Sequence, residues 1–92
     1  MSDRALRVVV VTPERTLYDG GASAVIAPAY DGLVGILPRH APFLSLLGTG
    51  RLVVRAAEGE QRFTVAGGFV QVVGDVVRVV AQQADVAAPA TA

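Results

Sequence analysis

The sequence contains no cysteine, no tryptophan and no lysine, and His40 is its only histidine. Without cysteine there is neither a disulfide nor a thiolate metal site, so apolar packing alone must hold the fold. A single histidine excludes a multi-histidine metal centre, and no spaced cluster of carboxylates offers an oxygen-only alternative. Aromatic residues make up 5% of the chain: Tyr18, Tyr30, Phe43, Phe63 and Phe69. A nucleic-acid-binding barrel needs exposed aromatics interleaved with basic side chains, and these few are needed inside. Charge is balanced, with Lys+Arg 8 against Asp+Glu 8. No net field therefore draws the chain to nucleic acid or anionic lipid. The apolar run Val8 to Val11, preceded by Arg4 and Arg7, ends at Thr12-Pro13-Glu14-Arg15, too early for a signal-peptide core or a spanning helix. The expectation is a soluble chain that stays where it is made.

What is present is dense apolar sequence cut at short intervals. With 92 residues and 52% hydrophobic content there is material for one domain with one core. Turn signals recur at Asp19-Gly20-Gly21, Asp31-Gly32, Pro38 to Pro42, Gly48-Thr49-Gly50, Glu58-Gly59, Gly67-Gly68 and Gly74-Asp75. Between them lie β-branched segments: Leu6 to Val11, Ser23 to Pro28, Leu33 to Leu37, Arg51 to Ala56, Gln61 to Val65, Phe69 to Val73 and Val76 to Ala81. This spacing predicts an all-β chain, a small antiparallel β-sandwich or barrel. The period of two sends Val77 and Val79 into the core and Arg78 outward; likewise Phe63 and Val65 point in while Arg62 and Thr64 point out. Val8 to Val11 and Leu33 to Leu37 are apolar on both faces, the pattern of a surface covered by a partner. Outward-facing candidates are Val9, Val11 and Val70. The domain is expected over residues 1–84, with a frayed tail over 85–92.

Chemistry is scarce. Neither glycine pair opens a helix or carries a Lys followed by Ser or Thr, so hairpin turns explain them better than a phosphate cradle. Ser45, His40 and Asp31 can be drawn as a triad, but nothing resembles a nucleophile elbow, and no catalysis and no cofactor is expected. Glu58 and Glu60 flank Gly59 as solvated charge at a hairpin tip. The segment with most local identity runs from Tyr30 to Leu44. Pro38 and Pro42 restrict the backbone on either side of Arg39-His40-Ala41, which makes a stiff, projecting corner suited to docking.

That segment, Asp31-Gly32-Leu33-Val34-Gly35-Ile36-Leu37-Pro38-Arg39-His40-Ala41-Pro42, resembles the signature of the epsilon subunit of F-type ATP synthases. Three further stretches match in the family's order: Val10 to Arg15, Val65 to Val72 and Val77 to Ala81. The resemblance covers about Leu6 to Ala84. It implies a β-sandwich that is a non-catalytic rotor-stalk subunit of a proton-translocating ATP synthase, packed on the gamma subunit and touching the c ring. It also implies a peripheral place on the cytoplasmic side of a bacterial membrane, with membrane association only through the complex and no nucleic-acid partner. Partner contacts are expected at Asp31, Leu33, Arg39, His40, Pro42, Ser45, Val9, Val11 and Val70, with the corner at Arg39 and His40 towards the c ring and the outward valines as candidates for gamma. The family's usual second acidic residue is Leu33 here and its usual glycine is Arg39, so the corner shifts from acidic towards basic. Family members commonly continue into a helical hairpin that can obstruct ATP hydrolysis. This sequence stops after Thr91-Ala92, so inhibition of that kind is not expected of it. The reading from another class is a free-standing β-sandwich adaptor or ligand-binding module.

Overall fold

The computed structural model describes residues 5–87, and Arg4 lies outside them. Eight strands follow one another, and no helix occurs among the described residues: β1 (Leu6–Val11), β2 (Thr16–Ala22), β3 (Ala24–Ala29), β4 (Gly32–Ile36), β5 (Phe43–Leu46), β6 (Thr49–Ala56), β7 (Gly59–Val73) and β8 (Val76–Val86). They pair in the order β2-β1-β8-β7-β6-β3-β4, with β5 also on β7. Only β1 and β8 run parallel; the other pairs are antiparallel.

The long strands β7 and β8 turn this path into a sandwich. Along the first half of β7 the buried residues are Phe63 and Val65; along the second they are Val70 and Val72. The inward parity therefore changes from odd to even at Gly67-Gly68. Both glycines have positive φ, 73° and 101°. A side chain at Gly68 would run into the Val80 carbonyl, and a Cβ at Gly67 would stand 2.5 Å from Gln82 Oε1. Across this kink one layer holds β4, β3, β6, the first half of β7 and the end of β8. The other holds β2, β1, the start of β8, the second half of β7 and β5.

One core lies between the layers. Val25, Ile36, Leu52, Val54, Phe63 and Val65 face Leu6, Val8, Val10, Val70, Val72, Val77 and Val79. Phe63 receives the Tyr18 ring edge-on at 6.4 Å between centroids. No polar or charged side chain is buried among the described residues, so each of these strands contributes only apolar area inward.

Several sequence-based expectations change. Asp19-Gly20-Gly21 sits inside β2 and is no turn, because Val8, Val9 and Arg7 pair with these residues across β1. Gln61 to Val65 and Phe69 to Val73 are one strand, since Gly67-Gly68 bends it without reversing it. β8 continues through Asp85 to Val86, paired with Thr64 and Phe63, past the point where a tail was expected. The outward assignment of Val70 is wrong. It is 0% exposed, because the parity change puts its neighbours Phe69 and Gln71 on the outside.

Glu60, at the β6–β7 hairpin, is more than solvated charge: its carboxylate meets Arg62 at 2.9 Å and Arg55 at 3.2 Å. The hydrogen bond from Arg62, aided by both guanidinium charges, holds its pKa below the ordinary glutamate value of 4.5. A carboxylate depressed on folding stabilises the fold above its unfolded pKa, and that contribution disappears as pH falls through the folded pKa. Acid titration of the melting temperature should therefore fall more steeply for the wild type than for Glu60→Gln below about pH 4.5; parallel curves would show the pair to be thermodynamically silent.

The kink makes a second prediction. Gly68→Ala should lose at least about 3 kcal/mol in urea unfolding, because the backbone must move as well as adopt a strained φ. Gly35→Ala, with open space around the new Cβ, should stay within about 1 kcal/mol.

Candidate docking surface

The outer faces of the two layers differ in chemistry. Outside β6 and β7 in the first layer stand Arg51, Arg55, Arg62, Glu60 and Thr64, in register across the pair. The second layer shows water an apolar field. The cross-strand register sets Leu46, Phe69, Val80 and Val11 in one row, and Leu44, Gln71, Arg78 and Val9 in the next. Leu44 is 67% exposed and Leu46 62%, while Val9, Val11 and Val80 are half-buried by their neighbours. Val73 and Val76 extend the field towards the β7–β8 turn. A shallow groove lies across it between Leu44, Leu46, Phe69 and the Arg78 side chain. The row Leu46-Phe69-Val80-Val11 is unbroken and Gln71 with Arg78 interrupts the next; exposed apolar area gathered in this way is the mark of an interaction surface.

Val9 and Val11 thus lie where the sequence placed them, facing out. Leu44, Leu46, Phe69, Val73, Val76 and Val80 belong to the same face and were missed. The signal that could have found them is the alternation in Phe43-Leu44-Ser45-Leu46, which sets both leucines on one side. Ser45 is opposite Val70, on the inward side, and its hydroxyl donates to the Leu46 carbonyl at 3.0 Å. It offers little to a partner.

The structure separates residues that stand close together in the Tyr30–Leu44 segment. Asp31 is at the exposed tip of the β3–β4 hairpin, with Leu33 beside it at 73% exposure. Arg39, His40 and Pro42 are beyond the other end of β4, a strand length of about 16 Å away. The corner itself is tightly held. Arg39 has φ 69°, a region that bulky residues seldom occupy. Its backbone N–H donates to Asp75 Oδ1 at 2.7 Å, from a residue in the β7–β8 turn, and the Asp75 carbonyl accepts the Arg7 N–H at 2.8 Å. The His40 N–H donates to the Leu37 carbonyl at 3.1 Å. The His40 ring lies 2.8 Å from the Ala41 carbonyl through Nδ1, so Nδ1 carries the proton there, and the ring meets Phe43 edge-on at 5.7 Å. His40 is thereby occupied locally. The Arg39 guanidinium makes no ion pair among the described residues and stands outward.

The comparisons with known proteins agree with this architecture. The sequence profile of the ATP synthase, Delta/Epsilon chain, beta-sandwich domain matches residues 5–87. The chain belongs to this family. Curated relatives include the ATP synthase epsilon chain of Leptospira interrogans, 43% identical over 72 residues, which cover 78% of this chain and 57% of that one. Those of Rhodopirellula baltica and Synechococcus elongatus are each 44% identical, over 87% and 88% of this chain and 62% and 59% of theirs. The chain thus spans about three-fifths of the length of these relatives. Among solved structures, a chain of the Euglena gracilis mitochondrial ATP synthase, OSCP/F1/c-ring, superposes with a TM-score of 0.84 at 20% identity, over 91% of this chain and 54% of that one. One from the Tetrahymena thermophila mitochondrial ATP synthase central stalk/c-ring gives 0.72 at 19%, over 92% and 69%. At such identities the likeness is one of fold, and the fold is that of the Delta/Epsilon beta-sandwich.

Within this family domain the Asp75 contact makes a testable claim about the corner. Asp75→Ala should release the Arg39 amide, seen as faster hydrogen exchange at Arg39 and His40, and cost about 1 to 2 kcal/mol. Arg39→Gly should instead stabilise the domain, by up to about 1 kcal/mol, by relieving the positive φ. Unchanged exchange in Asp75→Ala would show that the two prolines hold the corner unaided.

Proposed function

We propose that the chain is a non-catalytic rotor-stalk module of a proton-translocating F-type ATP synthase, joining the gamma subunit to the c ring. The observation that carries this reading is the exposed apolar row on the outer face of the second layer, on a domain whose family is that of the ATP synthase delta and epsilon chains. The names of the relatives, and the central-stalk and c-ring assemblies to which the structural neighbours belong, support it. In this reading the face of Leu44, Leu46, Phe69, Val9, Val11 and Val80 packs on gamma. A face built on paired strands suits a rigid joint that transmits torque, since little freedom is lost on contact. The corner at Arg39 meets the polar loops of the c ring, where a guanidinium can pair with carboxylates or carbonyls. Asp31 and Leu33 then make a separate contact, because β4 holds them apart from Arg39. The chain needs no cofactor for this role and is peripheral, reaching the cytoplasmic side of a bacterial membrane through its partners.

Capture by the gamma subunit tests the reading. Leu46→Asp leaves the core untouched and should change stability by no more than about 0.5 kcal/mol. It should weaken capture by at least about 2 kcal/mol, roughly thirtyfold. Val70→Asp buries a charge and should fail to fold. In reassembled complexes Arg39→Glu should reduce ATP-driven pumping more than Arg39→Ala, with wild-type pumping weakened by added salt. Normal gamma capture by Leu46→Asp would overturn the assignment of the face; normal pumping by both Arg39 variants would remove the corner from the ring.

A further inference from the structure

Each layer has two edges, and three of these four edges are blunted. On β2 the Tyr18 hydroxyl donates to the Gly21 carbonyl at 2.6 Å, Asp19 is ion-paired with Arg7 at 2.8 Å, and the register shifts between Val10 and Val11. β5 is only four residues long, follows Pro42, and has its Leu46 carbonyl taken by the Tyr30 N–H at 2.8 Å. The end of β8 lies beside the charged β1–β2 loop, with Arg15 3.8 Å from Asp85. Within its own five residues β4 has none of these devices; the nearest is just past its end, where the Leu37 carbonyl accepts the His40 N–H at 3.1 Å ahead of Pro38. Gly32-Leu33-Val34-Gly35-Ile36 holds no charge, no proline and no bulge. It pairs on one side only, with β3. A bare, apolar edge strand is a template for a further strand.

The β3–β4 hairpin turns on Tyr30-Asp31, with Ala29 opposite Gly32. Alternate residues of β4 therefore direct their N–H and C=O groups away from β3, and by the hairpin register these are Leu33 and Gly35. Gly35 has open space around it, so a neighbouring backbone can approach closely. We propose that β4 is a self-association edge, on which a second copy of this chain adds its own β4 antiparallel about a two-fold axis at Gly35. The charge pattern selects this occupant and this register. With Gly35 opposite Gly35, Leu33 of each copy lies opposite Leu37 of the other, and Asp31 at one end of the strand comes to the Arg39 end of its mate. Leu33, Leu37 and Tyr30, which are 73%, 61% and 76% exposed, leave water together. The interface is isologous and closes on itself, so it stops at a dimer. It concerns the unassembled chain and does not rest on the rotor reading.

The cysteine-free sequence permits a clean test on the full chain. Light scattering should give a mass that about doubles with rising protein concentration and returns to the monomer on dilution. Gly35→Pro removes the outward N–H while leaving the ladder to β3 intact, and should abolish the dimer; Leu33→Lys should do the same from the side chain. Leu46→Asp, on the other layer's face, should leave it unchanged. A mixture of Leu33→Cys and Leu37→Cys chains should cross-link through a short thiol reagent several-fold faster than either chain alone. A chain that stays monomeric at every concentration overturns the proposal and leaves the edge to a strand of another subunit. A dimer that survives Gly35→Pro and Leu33→Lys but is lost in Leu46→Asp overturns it as well, by placing self-association on the apolar sheet face.

Discussion

Everything in this domain depends on how closely β7 and β8 pass each other at Gly67-Gly68. The Val80 carbonyl and the Ala81 Cα occupy the space that a Cβ at position 68 would need, and the φ of 101° suits no other residue. With glycine there, β7 bends and its inward parity shifts by one residue, while its pairing with β8 keeps a single register from Phe63 to Val73. β8 bends with it: Ala81, Val79 and Val77 are buried on one side of the bend, and Ala84 packs on the core on the other. Two strands thus serve both layers, and the sandwich is one sheet folded on itself.

The same bend decides what the outside looks like. Because Val70 and Val72 turn inward after the kink, Phe69 and Gln71 turn outward, and Phe69 lands between Leu46 and Val80. The valines of β1 then serve two ends. Val8 and Val10 fill the core, and Val9 and Val11 continue the outer apolar rows. A small domain can build a compact core from such a sequence only by leaving some apolar area uncovered, and here one part of it lines the outer face of the β1-β8-β7-β5 layer while Arg51, Arg55, Glu60 and Arg62 line that of β6 and the first half of β7.

Much of this was legible in the sequence, and the failures have physical causes. Strands with strict alternation, such as Val76 to Val80 and Arg62 to Val65, could be read with the right faces because period two is a local property. β2 was missed because Asp19-Gly20-Gly21 has turn composition, yet it is held extended by cross-strand pairs to Arg7, Val8 and Val9. β5 was missed because Pro42 and Gly48 leave only a short stretch between them, and the strand itself has four residues. Val70 was assigned to the wrong face for one reason: Gly67-Gly68 reads equally as a hairpin turn or a bend, and only the choice between them fixes the parity of residues 69 to 73. The outer apolar face inherits that ambiguity, so its residues were legible on β1 and hidden on β5 and β7.

The corner at Arg39 shows a different limit. The two prolines predict stiffness from neighbouring sequence alone, but they do not say where the corner points. That is set by Asp75, 36 residues away, whose carboxylate holds the Arg39 N–H while its backbone carbonyl is tied to β1 through Arg7. The β7–β8 turn is therefore the base on which the corner stands, and it is continuous with the edge of the apolar face at Val73 and Val76. The apolar face and the Arg39 backbone are thus joined through one short turn. Arginine at a positive φ costs stability that glycine would not. The compensating feature is a permanent charge on a backbone fixed by Pro38, by Asp75, and by the His40 N–H on the Leu37 carbonyl. A backbone held in this way removes its own share of the entropy cost of any contact and leaves only that of the side chain.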